Sequence, residues 1–130
     1  MSLLFTAITI RGEEIPNRVF VSPMCQYSSE SRDGRPGIWH VIHCVTRAVG
    51  GAGLVMMEAT AVQAEGRITP WDLGLWSDAQ MESYLPVVEV ISRCGATPAI
   101  QLAHAGRKAS HDKPWVGGGF LGAHAGGGNQ

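Results

Sequence analysis

Apolar residues fall along this chain in short continuous runs that alternate with longer stretches of helical spacing, and polar or glycine-rich punctuation separates them. Phe5-Thr6-Ala7-Ile8-Thr9-Ile10, followed by Arg11-Gly12-Glu13-Glu14 and Ile15, predicts a short hairpin turning on Gly12; in barrels such a hairpin often plugs the bottom. Val19-Phe20-Val21 predicts a first buried strand, because a continuous apolar run fits a parallel sheet covered on both faces. After a polar loop from Ser28 to Pro36, helical spacing of Ile38, Val41, Ile42, Val45 and Val49 predicts a helix over Ile38 to Val49, closed by Gly50-Gly51. Leu54-Val55-Met56-Met57 reads as a second buried strand ending at Glu58-Ala59-Thr60, with a longer loop through Gly66, Pro70 and Gly74 behind it. Ser77-Asp78-Ala79-Gln80 fits a capping box, after which Met81, Tyr84, Leu85, Val88 and Ile91 share one helical face as far as Gly95. Pro86 falls inside that helix and should bend it. Thr97 to Leu102 is a third strand.

The order hairpin-β-α-β-α-β is the opening of a parallel α/β architecture. Three strands cannot close a parallel barrel, and a complete eightfold barrel needs about 200 residues at least, so 130 residues read as an incomplete one. Residues 1–116 carry the pattern. From Gly117 to Gln130 seven of fourteen residues are glycine, which reads as a loop or a disordered tail. Gly117-x-Gly119-x-x-Gly122 formally matches a dinucleotide fingerprint, but no strand precedes it and no helix plausibly follows.

A hydrophobic share of 45% with 16% charged residues is ordinary for a globular protein. Ten Lys+Arg against eleven Asp+Glu leave no basic patch longer than Arg107-Lys108, which argues against nucleic-acid binding. No apolar run nears the ~20 residues of a membrane span, and the start Met1-Ser2-Leu3-Leu4-Phe5 lacks a leader pattern, so a cytoplasmic location is expected. Cys25, Cys44 and Cys94 are odd in number and widely spaced, suggesting reduced thiols rather than a disulfide framework or a paired-cysteine metal site.

The chemistry gathers where the strands end. Ser22-Pro23-Met24-Cys25-Gln26-Tyr27 follows the first strand and sets a thiol and a phenol two residues apart, on one side of an extended chain. Glu58-Ala59-Thr60-Ala61 ends the second strand, and Gln101-Leu102-Ala103-His104-Ala105-Gly106-Arg107-Lys108 ends the third. Convergence of strand C-terminal ends defines a site in parallel α/β folds. Together these three segments resemble the old yellow enzyme family of FMN-dependent ene-reductases, in the branch carrying a cysteine near the flavin, and the likeness runs from about Leu4 to Trp115.

The resemblance implies an α/β fold, the N-terminal part of a (β/α)8 TIM barrel, with FMN as cofactor, NAD(P)H as reductant and an activated, enone-like alkene as substrate. It implies a homo-oligomer and a need for the remainder of the barrel or a complementary chain. By the same resemblance Gln101 holds the pyrimidine edge of the flavin, for which a carboxamide that both donates and accepts is suited; a glutamine satisfying backbone groups at a strand end is the alternative. Cys25 would adjust the flavin's reduction potential by a weak hydrogen bond, although a buried free cysteine is ordinarily packing. Pro23 and Met24 would offer backbone groups, Ala59 keeps its strand end small enough for the ring, and Ser22 could bond near the phosphate or ring edge or simply form a turn. Tyr27 resembles the tyrosine that lines the substrate pocket and orients an enone carbonyl; otherwise it is a packing residue.

His40 and His43 lie one helical turn apart, a spacing able to hold a metal, but no third ligand is evident and both fall off the apolar stripe, so a structural or surface role is expected. His104 could approach the flavin or shape its loop, and Arg107 and Lys108 could lie near the pocket mouth or form a solvated pair. The family's substrate-holding histidine pair, its proton-donating tyrosine and its phosphate-binding segment lie beyond the matching stretch, and His104, His111 and His124 do not reproduce that pair.

Overall fold

The computed structural model describes residues 2–122. The opening hairpin pairs β1 (Ile8–Ile10) with β2 (Glu13–Ile15) antiparallel, Ile8 facing Ile15 and Ile10 facing Glu13. Its two-residue turn holds both Arg11 (φ 49) and Gly12 (φ 90) in the left-handed region, the geometry that matches strand twist in a tight hairpin and that glycine adopts at no steric cost. Of this hairpin only Ile15 is buried.

A parallel sheet of four strands follows: β3 (Phe20–Val21), β4 (Leu54–Ala61), β5 (Leu73–Gly74) and β6 (Thr97–Ala103). β4 is its axis. β3 pairs with the start of β4, β5 with its end, and β6 runs along nearly all of it. α1 (Ile38–Val49) links β3 to β4, α2 (Asp78–Arg93) links β5 to β6, and both pack on the sheet, so the expected β-α-β-α-β order and its parallel sense are both present. The core lies between them: Cys44 and Ala48 from α1, Val55 and Met57 from β4, Leu73 from β5, and Tyr84, Val87 and Ile91 from α2. No helix among the described residues is long and apolar enough to cross a membrane.

Several local expectations need correction. β3 is two residues long, and Phe20 is 43% exposed, because among the described residues this strand has a sheet neighbour on one side only. α1 turns His40, Cys44 and Ala48 inward, while Ile38, Ile42 and Val49 of the expected stripe face outward. The i, i+4, i+8 row of smaller residues lets the helix sit close on β4, and the polar member, His40, meets a carboxylate there. α2 likewise buries Gln80, Tyr84, Val87 and Ile91 and exposes Met81, Leu85 and Val88. Ser77 is the N-cap of α2 but makes no side-chain bond to its backbone; its hydroxyl donates to Gln80 Oε1 at 2.6 Å, and Gln80 Nε2 donates to the Asp33 carbonyl. The long loop expected after Thr60 contains β5, too short to stand out as an apolar run. Of the glycine-rich stretch 117–130, residues 117–122 are described: the Asp112 N–H donates to the Gly119 carbonyl, and His111 bridges Phe120. Residues 123–130 lie outside the described ones.

Candidate functional site

The C-terminal ends of β4 and β6 lie side by side, with Ala59 opposite Gln101 and Thr60 opposite Leu102, while β3 ends opposite Val55 near the start of β4. The ladder between β4 and β6 slips by one residue between Met57 and Ala59. That bulge falls on Glu58, and bulges re-aim side chains at strand ends. After β3 the chain runs irregularly through Ser22 to Tyr27 and crosses toward β4. Its half-buried Cys25 thiol receives two hydrogen bonds, from the Ala59 backbone N–H and from the Tyr27 hydroxyl.

The thiol and phenol therefore meet, though not on an extended chain. Tyr27 has φ 50, a left-handed conformation uncommon for an aromatic residue and typical of functional sites when it occurs. Its ring packs edge-on against Trp115, centroids 5.8 Å apart. Burial, then the neighbouring Cys25 and Asp72, push the Tyr27 hydroxyl up to about 12. Burial also pushes the Cys25 thiol up, helped by the charges of Asp72 and Glu58. Both groups are thus protonated near neutral pH.

Beneath this segment lies a buried acid. Glu58, 5% exposed, accepts from the Gln26 N–H through Oε1 at 3.1 Å and from the Tyr27 N–H. Its Oε2 stands 3.6 Å from Nε2 of His40, itself 1% exposed. His40 Nδ1 accepts the Gly37 N–H at 2.9 Å, so the neutral ring carries its hydrogen on Nε2, facing the carboxylate. Burial pushes the Glu58 carboxyl up to about 7 and His40 down to about 4. Asp72, also raised by burial, binds the Ile68 and Thr69 N–H groups and the Thr69 hydroxyl.

The remaining expected residues distribute as follows. Gln101 is exposed, and its carboxamide takes no hydrogen-bond partner among the described residues. Ala59 is half-buried beside it. Ser22 is exposed, Pro23 half-buried and Met24 exposed, and the Met24 carbonyl accepts from Gln26 Nε2 at 2.6 Å. Cys25, Tyr27 and Ala59 are brought into direct contact, and Gln101 adjoins them through the strand register; Ser22 and Pro23 lie upstream on the same loop. His104 shapes its loop: it bonds Gln63 Oε1 at 3.1 Å, accepts the Gly106 N–H, and covers Gly66 so closely that a Cβ there would lie 2.6 Å from the ring. Arg107 and Lys108 are exposed on a 3-10 turn. His43 is half-buried, its ring 6.3 Å from Trp39.

Glu58 is the residue that sequence reasoning passed over. Its signal is an acid inside an otherwise apolar strand, Leu54-Val55-Met56-Met57-Glu58-Ala59-Thr60-Ala61, since a carboxylate buried there needs donors built around it.

Residues 3–116 match the NADH:flavin oxidoreductase / NADH oxidase family. The chain belongs to this family. Among curated members, it is 50% identical over 111 residues to an NADPH dehydrogenase of Geobacillus sp. (strain WCH70), covering 85% of this chain and 33% of that protein. It is 48% identical over 106 residues to an NADPH dehydrogenase of Bacillus subtilis (strain 168), covering 82% and 31%. Among solved structures of this old yellow enzyme family, morphinone reductase superposes with a TM-score of 0.73 at 34% identity, over 82% of this chain and 27% of the other. The old yellow enzyme homologue from Zymomonas mobilis gives 0.71 at 32% identity, over 79% and 28%. The family member described here thus spans about a third of the length of the curated relatives it matches, and its fold is the N-terminal part of their barrel.

Proposed function

We propose that this chain supplies one wall of the FMN site of an NAD(P)H-oxidising ene-reductase acting on activated, enone-like alkenes. One observation carries the reading: the ends of parallel strands bring a thiol already held by two donors, a small residue, and an exposed carboxamide with no partner to one edge of the sheet. These groups suit a flavin. The carboxamide of Gln101 donates and accepts toward the alternating carbonyl and N–H edge of the ring, Ala59 leaves room for the ring to lie against the strand end, and the polarizable Cys25 side chain sits where a redox centre can be tuned. Ser22, Pro23 and Met24, on the loop that leads into Cys25, would offer further groups to the ring. The chemistry FMN supplies when bound is hydride transfer between NAD(P)H and the β-carbon of the alkene.

Tyr27 lines the substrate side. Its hydroxyl, protonated throughout the neutral range, gives its hydrogen to Cys25 in this arrangement, and a substrate carbonyl would compete for that donor. The NADPH dehydrogenase names of the curated relatives support a nicotinamide reductant, as does a solved complex of morphinone reductase with tetrahydroNAD.

A second reading, that the chain acts only with a complementary chain or the rest of the barrel, rests on a separate observation. Met81, Leu85 and Val88 of α2 are exposed and line an open apolar groove with Pro98 and Ile100 of β6. Burial of such a surface is what neighbouring barrel elements achieve.

FMN titration followed by flavin fluorescence tests the first reading. Binding is expected, Gln101→Leu should weaken it or alter the bound spectrum, and Cys25→Ala should leave FMN bound while shifting its reduction potential. An unchanged affinity and spectrum for Gln101→Leu removes Gln101 from the site, and loss of FMN in Cys25→Ala makes the cysteine structural. A colourless chain that takes up FMN only after a complementary barrel fragment is added supports the second reading.

A further inference from the structure

Glu58 is not itself among the residues assigned to the flavin or the substrate, yet it joins three elements. It sits at the bulge of β4, it faces His40 of α1, and it receives backbone N–H groups from the segment that carries Cys25 and Tyr27. We propose that Glu58 is a positioning residue: its carboxylate grips the Gln26 and Tyr27 N–H groups, holds Tyr27 in its left-handed turn, and lays a negative charge beside the Cys25 thiol. Its bearing on the flavin rests on the reading in the preceding subsection; the positioning does not.

The bulge is what makes this possible. Met57 points into the helix-facing core, and regular alternation would send Glu58 to the opposite face. The slipped register turns it inward as well, so that both residues are buried. A carboxylate in such a place needs donors around it: Oε1 accepts from the Gln26 N–H at 3.1 Å, and Oε2 faces the Nε2 edge of His40 at 3.6 Å, just beyond hydrogen-bond distance. The His40 tautomer is set from the other side of the ring by the Gly37 N–H. That edge is also the single buried side-chain nitrogen or oxygen among the described residues without a hydrogen-bond partner, so the imidazole is oriented toward the carboxylate without being consumed elsewhere.

Non-glycine residues rest in left-handed turns only where their surroundings over-determine them. For Tyr27 these are its own N–H bond to Glu58, the adjacent Gln26 bond, the hydroxyl bond to Cys25 and the Trp115 ring. The electrostatic part follows from the same placement. The groups acting on the thiol are the Tyr27 phenol from its own loop, Asp72 from the turn before β5, and Glu58 from β4. Those acting on Glu58 are His40 across α1, the Gln26 and Tyr27 N–H groups, and Asp72; Cys44 of α1 and Tyr84 of α2 also lie within its field. Above pH 7 Glu58 is ionised and opposes thiolate formation at Cys25, so a nucleophile is kept quiet where a neutral hydrogen-bonding thiol is wanted.

The test uses the 130-residue chain and no flavin, so it fails or succeeds separately from the FMN reading. Iodoacetamide alkylation is followed from pH 6 to 11 by mass spectrometry of tryptic peptides, since Arg18 and Arg32 bracket Cys25 without either other cysteine. The wild-type midpoint for Cys25 is expected above the ordinary thiol value of about 8.5. Glu58→Gln, which keeps an acceptor and removes the charge, should lower it, seen as faster alkylation of Cys25 at pH 8 than in the wild type. Glu58→Leu should in addition accelerate amide hydrogen exchange at Gln26 and Tyr27 by tenfold or more, as Glu58→Gln does not. Asp72→Asn should lower the thiol midpoint and leave those two amides protected. If Glu58→Leu unfolds, Glu58→Asp decides, because retracting the carboxylate by one methylene should loosen both amides while the thiol midpoint stays high. An unmoved Cys25 profile in Glu58→Gln, or amides as protected in Glu58→Asp as in the wild type, overturns the proposal, as does an ordinary wild-type midpoint.

Discussion

The buried His40–Glu58 pair makes an unusual demand on how stability varies with pH. In the unfolded chain at pH 5.5 the imidazole holds a proton and the carboxyl does not. In the folded chain burial reverses this, with His40 down from 6.5 to about 4 and Glu58 up from 4.5 to about 7. A depressed histidine contributes stability that grows as pH rises from about 4 to 6.5, because the unfolded state binds the extra proton there. A raised carboxyl does the opposite: its contribution is complete below 4.5 and is lost as pH climbs to about 7. Each transition is worth about 3 kcal/mol at roughly 1.4 kcal/mol per pH unit, and side chains only 1% and 4% exposed leave little solvent screening to reduce it. In the wild type the two slopes cancel between about pH 4.5 and 6.5. Removing either partner uncovers the other. His40→Asn, which can still accept from the Gly37 N–H, should therefore lose about 3 kcal/mol relative to the wild type on going from pH 4.5 to 7, whereas Glu58→Gln should gain about as much from pH 4 to 6.5. Urea unfolding followed by far-UV circular dichroism at half-unit pH steps measures both curves. Taking differences from the wild type removes the contributions of Asp72 and the other carboxyls. Difference curves of the same sign, or both flat, would refute the reasoning.

Two packing predictions accompany it. Gly74→Ala places a Cβ within 1.8 Å of the Trp76 ring, and overpacking of that kind costs about 1–3 kcal/mol; the loss should shrink in Gly74→Ala/Trp76→Ala, and an equal loss in both would assign it to the backbone instead. Ile91→Ala empties a fully buried position at the centre of the core and should lower unfolding stability by about 2–5 kcal/mol, with a loss under about 1 kcal/mol indicating that α2 does not pack as described.

Element order and strand direction were legible in the chain because each apolar run ends in an unambiguous stop: Gly50-Gly51 after α1, Gly95 after α2, Gly12 in the hairpin. The inward faces of the helices were not. Hydrophobicity marks Ile38, Ile42 and Val49, but the sheet takes the smaller row His40, Cys44 and Ala48, and a histidine joins that row only because Glu58 waits opposite it. Nothing local in Leu54 to Ala61 announces a bulge, for a register slip is decided between β4 and β6. The site was legible as segments rather than as geometry. That Cys25 and Tyr27 belong together could be inferred from spacing, yet the contact is made through a left-handed Tyr27, which depends on a carboxylate 32 residues away from Gln26. β5, two residues long, is held by pairing with β4 and has no run of its own to betray it.

The central claim is that the strand ends around Cys25, Ala59 and Gln101 form a flavin-facing wall, and amide chemical-shift mapping of the nitrogen-15-labelled chain during FMN titration addresses it most directly. Saturable shifts confined to Met24–Tyr27, Ala59–Thr60 and Gln101–His104, and weakened by Gln101→Leu, are the predicted result. Shifts centred elsewhere on the sheet, or none at millimolar FMN, would contradict it.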